Sequence, residues 1–194
     1  VAWTVVPILI LIAIAIPSFR LLYQQRDYPE ADFTIKATGS QWFWTYEYPD
    51  HGDIVFDSLK KQDDELEPGE PRLLAVDAPV VVPVGATVSL IVTGNDVIHS
   101  WTVQAFGEKI DAVPGRLNEA WFRPETEGVF YGNCVELCGI GHSDMPIEVR
   151  VVSQEEFDEW VEVMAAEGPG PANRQLTERM RARGLLAAVD NNQY

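Results

Sequence analysis

The chain begins with a long apolar run. Residues 1–19 carry no charged side chain and consist mainly of Val, Ile, Leu and Ala. At about 1.5 Å per residue, a helix of this length spans about 28 Å, which is close to the hydrocarbon thickness of a bilayer. Pro7 and Pro17 do not oppose this interpretation, because membrane helices tolerate proline. We predict a transmembrane helix over residues 1–22 and a polar connector over residues 23–32; a buried core helix is the alternative.

A second pattern extends from residue 33 to about residue 152. It consists of short runs rich in β-branched and aromatic residues, separated by glycine and proline, and such runs are typical of strands. Many short strands with few helices predict an all-β domain, either a sandwich or a Greek-key barrel. The charged residues 60–70 predict a surface loop. The predicted strands are residues 33–37, 41–48, 73–76, 80–83, 87–93, 100–104, 119–122, 128–131 and 147–152.

After residue 152 the pattern changes to helical spacing. Ser153 and Glu156 form a capping-box pattern, which marks the start of a helix. Apolar residues then fall on one helical face and predict packing against the domain; they are Phe157, Trp160, Val161 and Met164. Residues 168–171, Gly-Pro-Gly-Pro, are expected to end this helix. Residues 153–194 are therefore assigned to a C-terminal helix and an acidic tail, in which residues 175–186 could form a short charged helix.

Composition narrows the classes of partner. The 194 residues provide room for one domain with appendages. The formal net charge is −16 and the isoelectric point is near 4.4. This charge argues against a nucleic acid partner, whose phosphates bind Lys and Arg. It suits a basic protein partner, because long-range attraction speeds encounter; the alternative is that the acidity only keeps the chain soluble.

Candidate metal chemistry is concentrated between Cys134 and Met145. This block contains the chain's only two cysteines, Cys134 and Cys138, together with His142 and Met145. A second imidazole is available at His99. Thiolates, thioethers and imidazoles form a soft ligand set, and soft sets select copper over hard cations. The block therefore predicts a copper site.

Three other interpretations of this block compete with a dicopper site. A disulfide in an oxidising compartment leaves His142 and Met145 unexplained. A zinc finger would pair its histidines within a few residues, but His99 precedes His142 by 43 residues. A blue-copper site uses one cysteine, one fewer than the block offers. Two thiolates that bridge two copper ions would use every soft ligand, so the ligand count favours two copper ions over zinc.

Longer motifs extend the pattern beyond the ligand block. They are residues 41–48 (QWFWTYEY), 96–101 (DVIHSW) and 109–116 (KIDAVPGR), and Pro146 directly after the block. Together these motifs resemble subunit II of haem–copper cytochrome c oxidases, which carries the dicopper centre called CuA. The resemblance runs from the membrane span to about residue 152. It implies a cupredoxin-like Greek-key β-barrel, the CuA domain, over residues 33–152, which agrees with the strand pattern.

The resemblance also implies a second membrane helix and a ligand set. Family members usually have two membrane helices, so the helix predicted here would be the second, and the first is expected before residue 1. The implied copper ligands are His99, Cys134, the backbone carbonyl of Glu136, Cys138, His142 and Met145. Both thiolates would bridge the two copper ions. His99 and Met145 would complete one ion, and His142 and the carbonyl would complete the other.

Two further residues acquire roles from the resemblance. The Glu136 side chain would be free to point towards subunit I, where the family holds a Mg²⁺ or Mn²⁺ ion. Trp42 corresponds to the exposed aromatic residue through which family members receive electrons from cytochrome c. The alternative for Trp42 is an ordinary core tryptophan, and that is the interpretation we prefer for Trp44.

The implied function is electron transfer within a respiratory oxidoreductase and translocase. CuA would take electrons from cytochrome c and pass them to haem a in subunit I, which holds haems a and a3 and CuB, reduces O₂ and pumps protons. The expected partners are subunits I and III, a basic cytochrome c and the membrane. The CuA domain is expected on the periplasmic or intermembrane side, in a bacterial plasma membrane rather than a mitochondrial inner membrane.

Three alternative functions share parts of this pattern. A quinol oxidase subunit II has the same fold without copper, but all the soft ligands are present here. A nitrous-oxide reductase CuA module would not need a membrane span directly before the β-domain. A copper chaperone or storage protein would not need Trp42 or the oxidase-like Asp111 and Arg116.

Overall fold

The computed structural model describes residues 1–25, 27–52 and 54–186. Residue 26 of the predicted connector and residues 187–194 of the predicted tail lie outside the described residues. Contacts divide the chain into two units, residues 1–30 and residues 31–194. The first unit contains one helix, α1 (Ala2–Gln25). Its length and its mean hydropathy of 2.4 would allow it to cross a membrane, and its most apolar stretch is not buried among the described residues. This exposure favours the predicted membrane helix over the alternative of a core helix.

The second unit contains ten strands among the described residues. They are β1 (Phe33–Ser40), β2 (Phe43–Tyr48), β3 (Ile54–Ser58), β4 (Val80–Pro83), β5 (Val88–Gly94), β6 (His99–Val103), β7 (Glu108–Ala112), β8 (Asn118–Phe122), β9 (Gly128–Asn133) and β10 (Pro146–Val152). The prediction of an all-β domain after an apolar helix is therefore confirmed.

The strands are hydrogen-bonded in three sheets. A five-stranded sheet has the order β3-β2-β1-β5-β8, a three-stranded sheet the order β4-β10-β9, and β6 pairs with β7. Among the described strands, the three sheets are not hydrogen-bonded to one another into a closed barrel. Burial alternates along β1, β2 and β5, as expected for strands with one face on a core. The largest fully buried side chains include Trp44 and Trp101.

The strand predictions fail at three places. The strand predicted at residues 73–76 is a turn with one isolated bridge, between Lys60 and Val76. Neither β3 nor β7 was predicted. In β3 the exposed Val55 obscures the alternation of buried and exposed positions. In β7 only Ile110 and Ala112 are apolar, because this strand is mostly half-buried or exposed.

Two helices follow β10, α2 (Gln154–Glu167) and α3 (Pro169–Ala182). The predicted capping box is present: the Ser153 hydroxyl accepts from the Glu156 amide, and the Glu156 carboxylate accepts from the Ser153 amide, both at 3.2 Å. The second helix starts earlier than predicted, at Pro169, because proline is well tolerated in the first turn of a helix. Trp160 Nε1 donates to Asn173 Oδ1 at 2.9 Å and ties the two helices together.

Candidate metal centre

The candidate ligands converge because β9 and β10 hold the two ends of their loop. Asn133 pairs with Pro146 in this antiparallel ladder. The next pair of residues towards the loop is also hydrogen-bonded, since the Cys134 amide donates to the Met145 carbonyl at 3.3 Å. The amide of Val135 donates to the Ser100 carbonyl at 3.2 Å. This bond places the loop beside His99, the first residue of β6.

The structure brings all six predicted donor atoms into one cluster. Sγ of Cys134 lies 3.9 Å from Sγ of Cys138 and 3.3 Å from the Glu136 carbonyl. Sγ of Cys138 lies 3.6 Å from Nδ1 of His142 and 3.6 Å from Sδ of Met145. His99 Nδ1 completes the cluster, 3.3 Å from the same Sδ.

The cluster fits metal ions better than a disulfide. Two donors that each lie about 2.0–2.3 Å from one tetrahedral first-row metal ion are separated by about 3.3–3.8 Å, close to the distances observed. The sulfur–sulfur distance of 3.9 Å far exceeds the ~2.05 Å of a disulfide bond, and both cysteines are free. His99, Cys134, Cys138 and Met145 are all buried, so these four donors are shielded from water.

His99 is oriented by groups outside the predicted ligand set. Its Nε2 donates to Asp96 Oδ1 at 2.8 Å, which leaves Nδ1 free to face the sulfur atoms. Asp96 also accepts from the amides of Gln41 at 2.8 Å and Val97 at 2.7 Å. A carboxylate behind a histidine in this way fixes the ring orientation of metal ligands. On the other side a Cβ at Gly39 would lie 2.9 Å from the ring, so glycine is needed there.

The metal-free cluster favours one thiolate. Burial raises the pKa of both thiols, but hydrogen bonds from His99 and from the backbone lower the pKa of Cys134 below its usual value. Burial and the negative charge on Cys134 raise the pKa of Cys138. Burial opposes the charged imidazole of His99, yet hydrogen bonds to Cys134 and Asp96 raise its pKa overall. Binding of a metal ion to both sulfurs would therefore release a proton from Cys138.

Trp42 lies directly against the ligand loop. Its ring is half-buried, and its Nε1 donates to the Cys138 carbonyl at 3.3 Å. The ring fills the space beside two glycines, since a Cβ at Gly141 would come within 2.5 Å of it and a Cβ at Gly139 within 3.0 Å. Trp44, in contrast, is fully buried and packs edge-on against His99, with ring centroids 6.1 Å apart. The interpretation of Trp44 as a core residue is confirmed.

The outer surface of the loop is exposed. The Glu136 residue is exposed although its carbonyl faces the cluster. Three apolar neighbours are exposed as well: Val135 at 36%, Leu137 at 78% and Ile140 at 93%. Exposed apolar groups in such density mark surfaces that contact other molecules.

Three residues near the centre were not predicted. Asp96 lies three residues before His99, a spacing that could have suggested the contact. Gln41 stands in a quoted motif, and its Nε2 donates to the Cys138 carbonyl at 2.8 Å. Lys60 contacts Asp144 inside the ligand loop at 2.5 Å. Nothing in the sequence indicates that last contact, because the two residues are 84 positions apart.

Comparison with known proteins finds a matching family model and close relatives of this chain. The model of the family "Cytochrome C oxidase subunit II, periplasmic domain" matches residues 33–152. The probable cytochrome c oxidase subunit 2 of Rickettsia bellii (strain RML369-C) is 56% identical over 161 residues, which cover 83% of this chain and 60% of the relative. Cytochrome c oxidase subunit 2 of Cereibacter sphaeroides is 51% identical over 180 residues, with 84% and 59% covered. The chain thus spans about 60% of the length of these relatives.

Solved structures agree. The crystal structure of the periplasmic domain of subunit II of cytochrome oxidase from Bradyrhizobium japonicum is 54% identical, with a TM-score of 0.68 over 72% of this chain and 98% of that chain. A mixed disulfide intermediate between a thioredoxin-like protein and a subunit II domain is 51% identical, with a TM-score of 0.62 over 73% and 97%. The predicted cupredoxin-like fold class is confirmed.

Proposed function

The chain belongs to the family of cytochrome c oxidase subunit II periplasmic domains, and from this premise we propose that it is the electron-entry subunit of a terminal oxidase. It would take electrons from cytochrome c and deliver them to haem a of subunit I. Oxygen reduction and proton pumping would take place in subunit I, with its haems a and a3 and CuB. This chain would perform no oxygen chemistry of its own.

The observation that carries the proposal is the convergence of six soft or carbonyl donors in one cluster, four of which belong to buried residues. The sulfur atoms of Cys134 and Cys138 lie 3.9 Å apart, and each contacts other donors. Cys134 contacts the Glu136 carbonyl, and Cys138 contacts His142 and Met145. His99 contacts Met145 at 3.3 Å. Two thiolates at the centre of these contacts support a dicopper site.

Copper bound there would supply one-electron redox chemistry, shared between two ions. The protein's contribution is to hold the donors. Asp96 fixes the ring of His99 through Nε2, and the β9–β10 ladder fixes both ends of the loop. Burial of the sulfur atoms keeps water away from them, so the donors need little rearrangement when the charge of the centre changes.

Electron entry is proposed at Trp42. Its indole contacts the loop that joins the bridging cysteine to His142, and its Nε1 bonds to the Cys138 carbonyl. The ring is only half-buried, so one part of it remains accessible to a partner. The net charge of −16 suits a lysine-rich cytochrome c, whose approach would be accelerated by long-range attraction.

Electrons must also leave the centre. We propose that they pass to subunit I from the exposed side of the ligand loop. Glu136 is exposed there, and its side chain would bind a Mg²⁺ or Mn²⁺ ion shared with subunit I. Leu137 and Ile140 supply apolar area for that contact. We propose that α1 anchors the domain in a bacterial plasma membrane with the domain on the periplasmic side, in contact with subunits I and III.

The experiment that tests electron entry is stopped-flow reduction of the copper centre by cytochrome c over a salt series. Association should slow steeply as salt rises, because the Debye length falls from about 30 Å at 0.01 M to about 10 Å at 0.1 M. Trp42→Gln should slow the transfer step about tenfold or more, equivalent to ~1.4 kcal/mol of barrier, with little change in binding. Trp121→Gln, a half-buried tryptophan of β8, is the matched control and should transfer at the wild-type rate. Equal rates for both variants would make Trp42 a packing residue.

A further inference from the structure

We propose that Lys60 is a positioning residue for the dicopper centre, and that it acts through Asp144. The inference rests on the proposed function. Lys60 Nζ donates to Asp144 Oδ1 at 2.5 Å. Asp144 lies in the short 3-10 turn His142–Asp144, directly between two proposed ligands, His142 and Met145. A contact at this position restrains both neighbours at once.

The lysine end of this contact is held rigidly. Lys60 forms an antiparallel bridge with Val76. Hydrogen bonds on either side reinforce the bridge: the Lys61 amide donates to Ala75 at 3.0 Å, and the Asp77 amide donates to Leu59 at 3.0 Å. The Lys60 side chain is only 16% exposed, so the surrounding chain restricts its conformations.

The bridge is in turn attached to the strand that carries the end of the ligand loop. The Val76 amide donates to Glu148 Oε2 at 3.1 Å. Glu148 is buried in β10 and paired with Arg150 at 2.8 Å. Since β10 starts at Pro146, directly after Met145, the loop is fixed at Met145 by the strand and at Asp144 by Lys60.

The turn itself has few bonds of its own to hold its shape. The His142 amide donates to the Gly139 carbonyl at 3.2 Å, and the Asp144 amide donates to the Gly141 carbonyl at 2.8 Å. His142 is half-buried and the Asp144 side chain is 50% exposed. A ligand that must be ready before metal arrives needs support from outside the turn. Lys60 supplies that support through its contact with Asp144.

The neighbouring residue provides a matched control. Lys61 has the same charge and nearly the same side-chain exposure, 17%. It forms its own ion pair with Glu70, at 2.7 and 2.8 Å to the two carboxylate oxygens. Glu70 belongs to the charged loop and not to the ligand block, so loss of Lys61 removes an equal charge without releasing the turn.

The test uses the purified full chain in detergent, first without metal and then loaded with copper. In the metal-free chain, Lys60→Gln should speed hydrogen exchange at the amides of His142 and Asp144 about two- to fivefold, as expected for an ion pair of this exposure. Lys60→Arg keeps the cation and should restore the wild-type rate, and Lys61→Gln should leave it unchanged. Asp144→Asn should match Lys60→Gln, and the double variant should exchange no faster than either single variant.

With copper bound, Lys60→Gln should release the metal to a chelator faster by a similar factor and alter the hyperfine pattern of the electron paramagnetic resonance signal. Exchange and release rates equal to those of Lys61→Gln would overturn the inference, and additive effects of Lys60→Gln and Asp144→Asn would do the same. Failure of the wild-type chain to bind copper would instead overturn the proposed function. The two failures are distinct, because exchange is measured without metal.

Discussion

The ligand loop and the helical hairpin of α2 and α3 show two different ways to bury side chains. The loop between Cys134 and Met145 buries sulfur and imidazole groups, has little regular structure, and depends on distant residues for support. The hairpin buries apolar faces, including Phe157, Trp160 and Leu176, and contains its own cap. The hairpin is stabilised by the hydrophobic effect, which needs no partner atom at a fixed position.

This difference separates function from stability. In the loop a displacement of one donor changes the chemistry of the whole cluster, because metals require donors in a defined geometry. In the hairpin the same displacement changes only the packing energy. Substitutions in the loop should therefore change the spectroscopic signal more than the stability, and substitutions in the hairpin should do the reverse.

The largest effect is expected at the two cysteines that are proposed to bridge the copper ions. Cys134→Ser or Cys138→Ser should abolish the mixed-valence dicopper signal, because an alcohol does not replace a bridging thiolate at neutral pH. Electron paramagnetic resonance with metal analysis measures this. Ser143→Ala, an exposed position of the same loop, should keep the signal. An intact signal in either cysteine variant would contradict the proposed bridge.

In the hairpin, a substitution should lower stability and leave the copper signal unchanged. Trp160→Ala should lower the free energy of unfolding by about 3–5 kcal/mol, the cost of a large cavity in a core, because Trp160 is 2% exposed and bonded to Asn173. Urea unfolding measures the loss. Under conditions where the variant is folded, its copper signal should equal that of the wild type. A changed signal would show that the hairpin and the centre are coupled.

Glycine substitutions compare the two regions directly. At Gly141 an added methyl group would meet the Trp42 ring at 2.5 Å, so Gly141→Ala should displace the ring at a cost of about 1–3 kcal/mol. Reduction by cytochrome c should slow while the dicopper signal is retained. Gly170→Ala in α3 is the control, since its methyl group would meet only the end of Arg174, at 3.4 Å. Equal rates in both variants would separate Trp42 from electron entry.

The smallest effect is a pH dependence of the hairpin. Burial opposes the charge on Glu156, but hydrogen bonds from Arg183 and Ser153 lower its pKa below the usual 4.5. A lowered pKa in the folded state adds stability above pH 4.5, and this contribution is lost as the pH falls through the lowered value. Glu156→Gln should therefore be less stable than the wild type near pH 7, by about 0.2–1 kcal/mol, because glutamine can still accept from the Ser153 amide but loses the ion pair with Arg183.

Urea unfolding from pH 7 to pH 3 tests this dependence. The difference between the wild type and Glu156→Gln should shrink below pH 4.5. Glu155→Gln, an exposed residue of the same first turn, serves as the control for a simple loss of charge. A difference that stays constant over the whole range would contradict a role for the ionised Glu156.

What the sequence predicts well is local. The ligand block brings most of its donors together within twelve residues, and the capping box of α2 needs only Ser153 and Glu156. Apolar spacing also predicts the buried face of α2. In these cases the residues that interact are near each other in the chain, so their pattern is visible without the fold.

What the sequence misses depends on distant pairing. Strand β3 lies at the edge of its sheet, and its exposed Val55 hides the alternation. Helix α3 starts at Pro169, where a Gly-Pro pattern predicts only an end. The contact between Lys60 and Asp144 exists because the bridge between Lys60 and Val76 places the lysine beside the loop. Such partners emerge only when the sheet register is known.

The central claim is that Cys134, Cys138 and their neighbours hold two copper ions that share one unpaired electron. Metal analysis combined with electron paramagnetic resonance of the purified wild-type chain tests it most directly. The prediction is two copper ions per chain and a single mixed-valence signal in which the electron couples to both nuclei. One copper ion with the signal of an isolated Cu²⁺, or stoichiometric zinc without a copper signal, would contradict it.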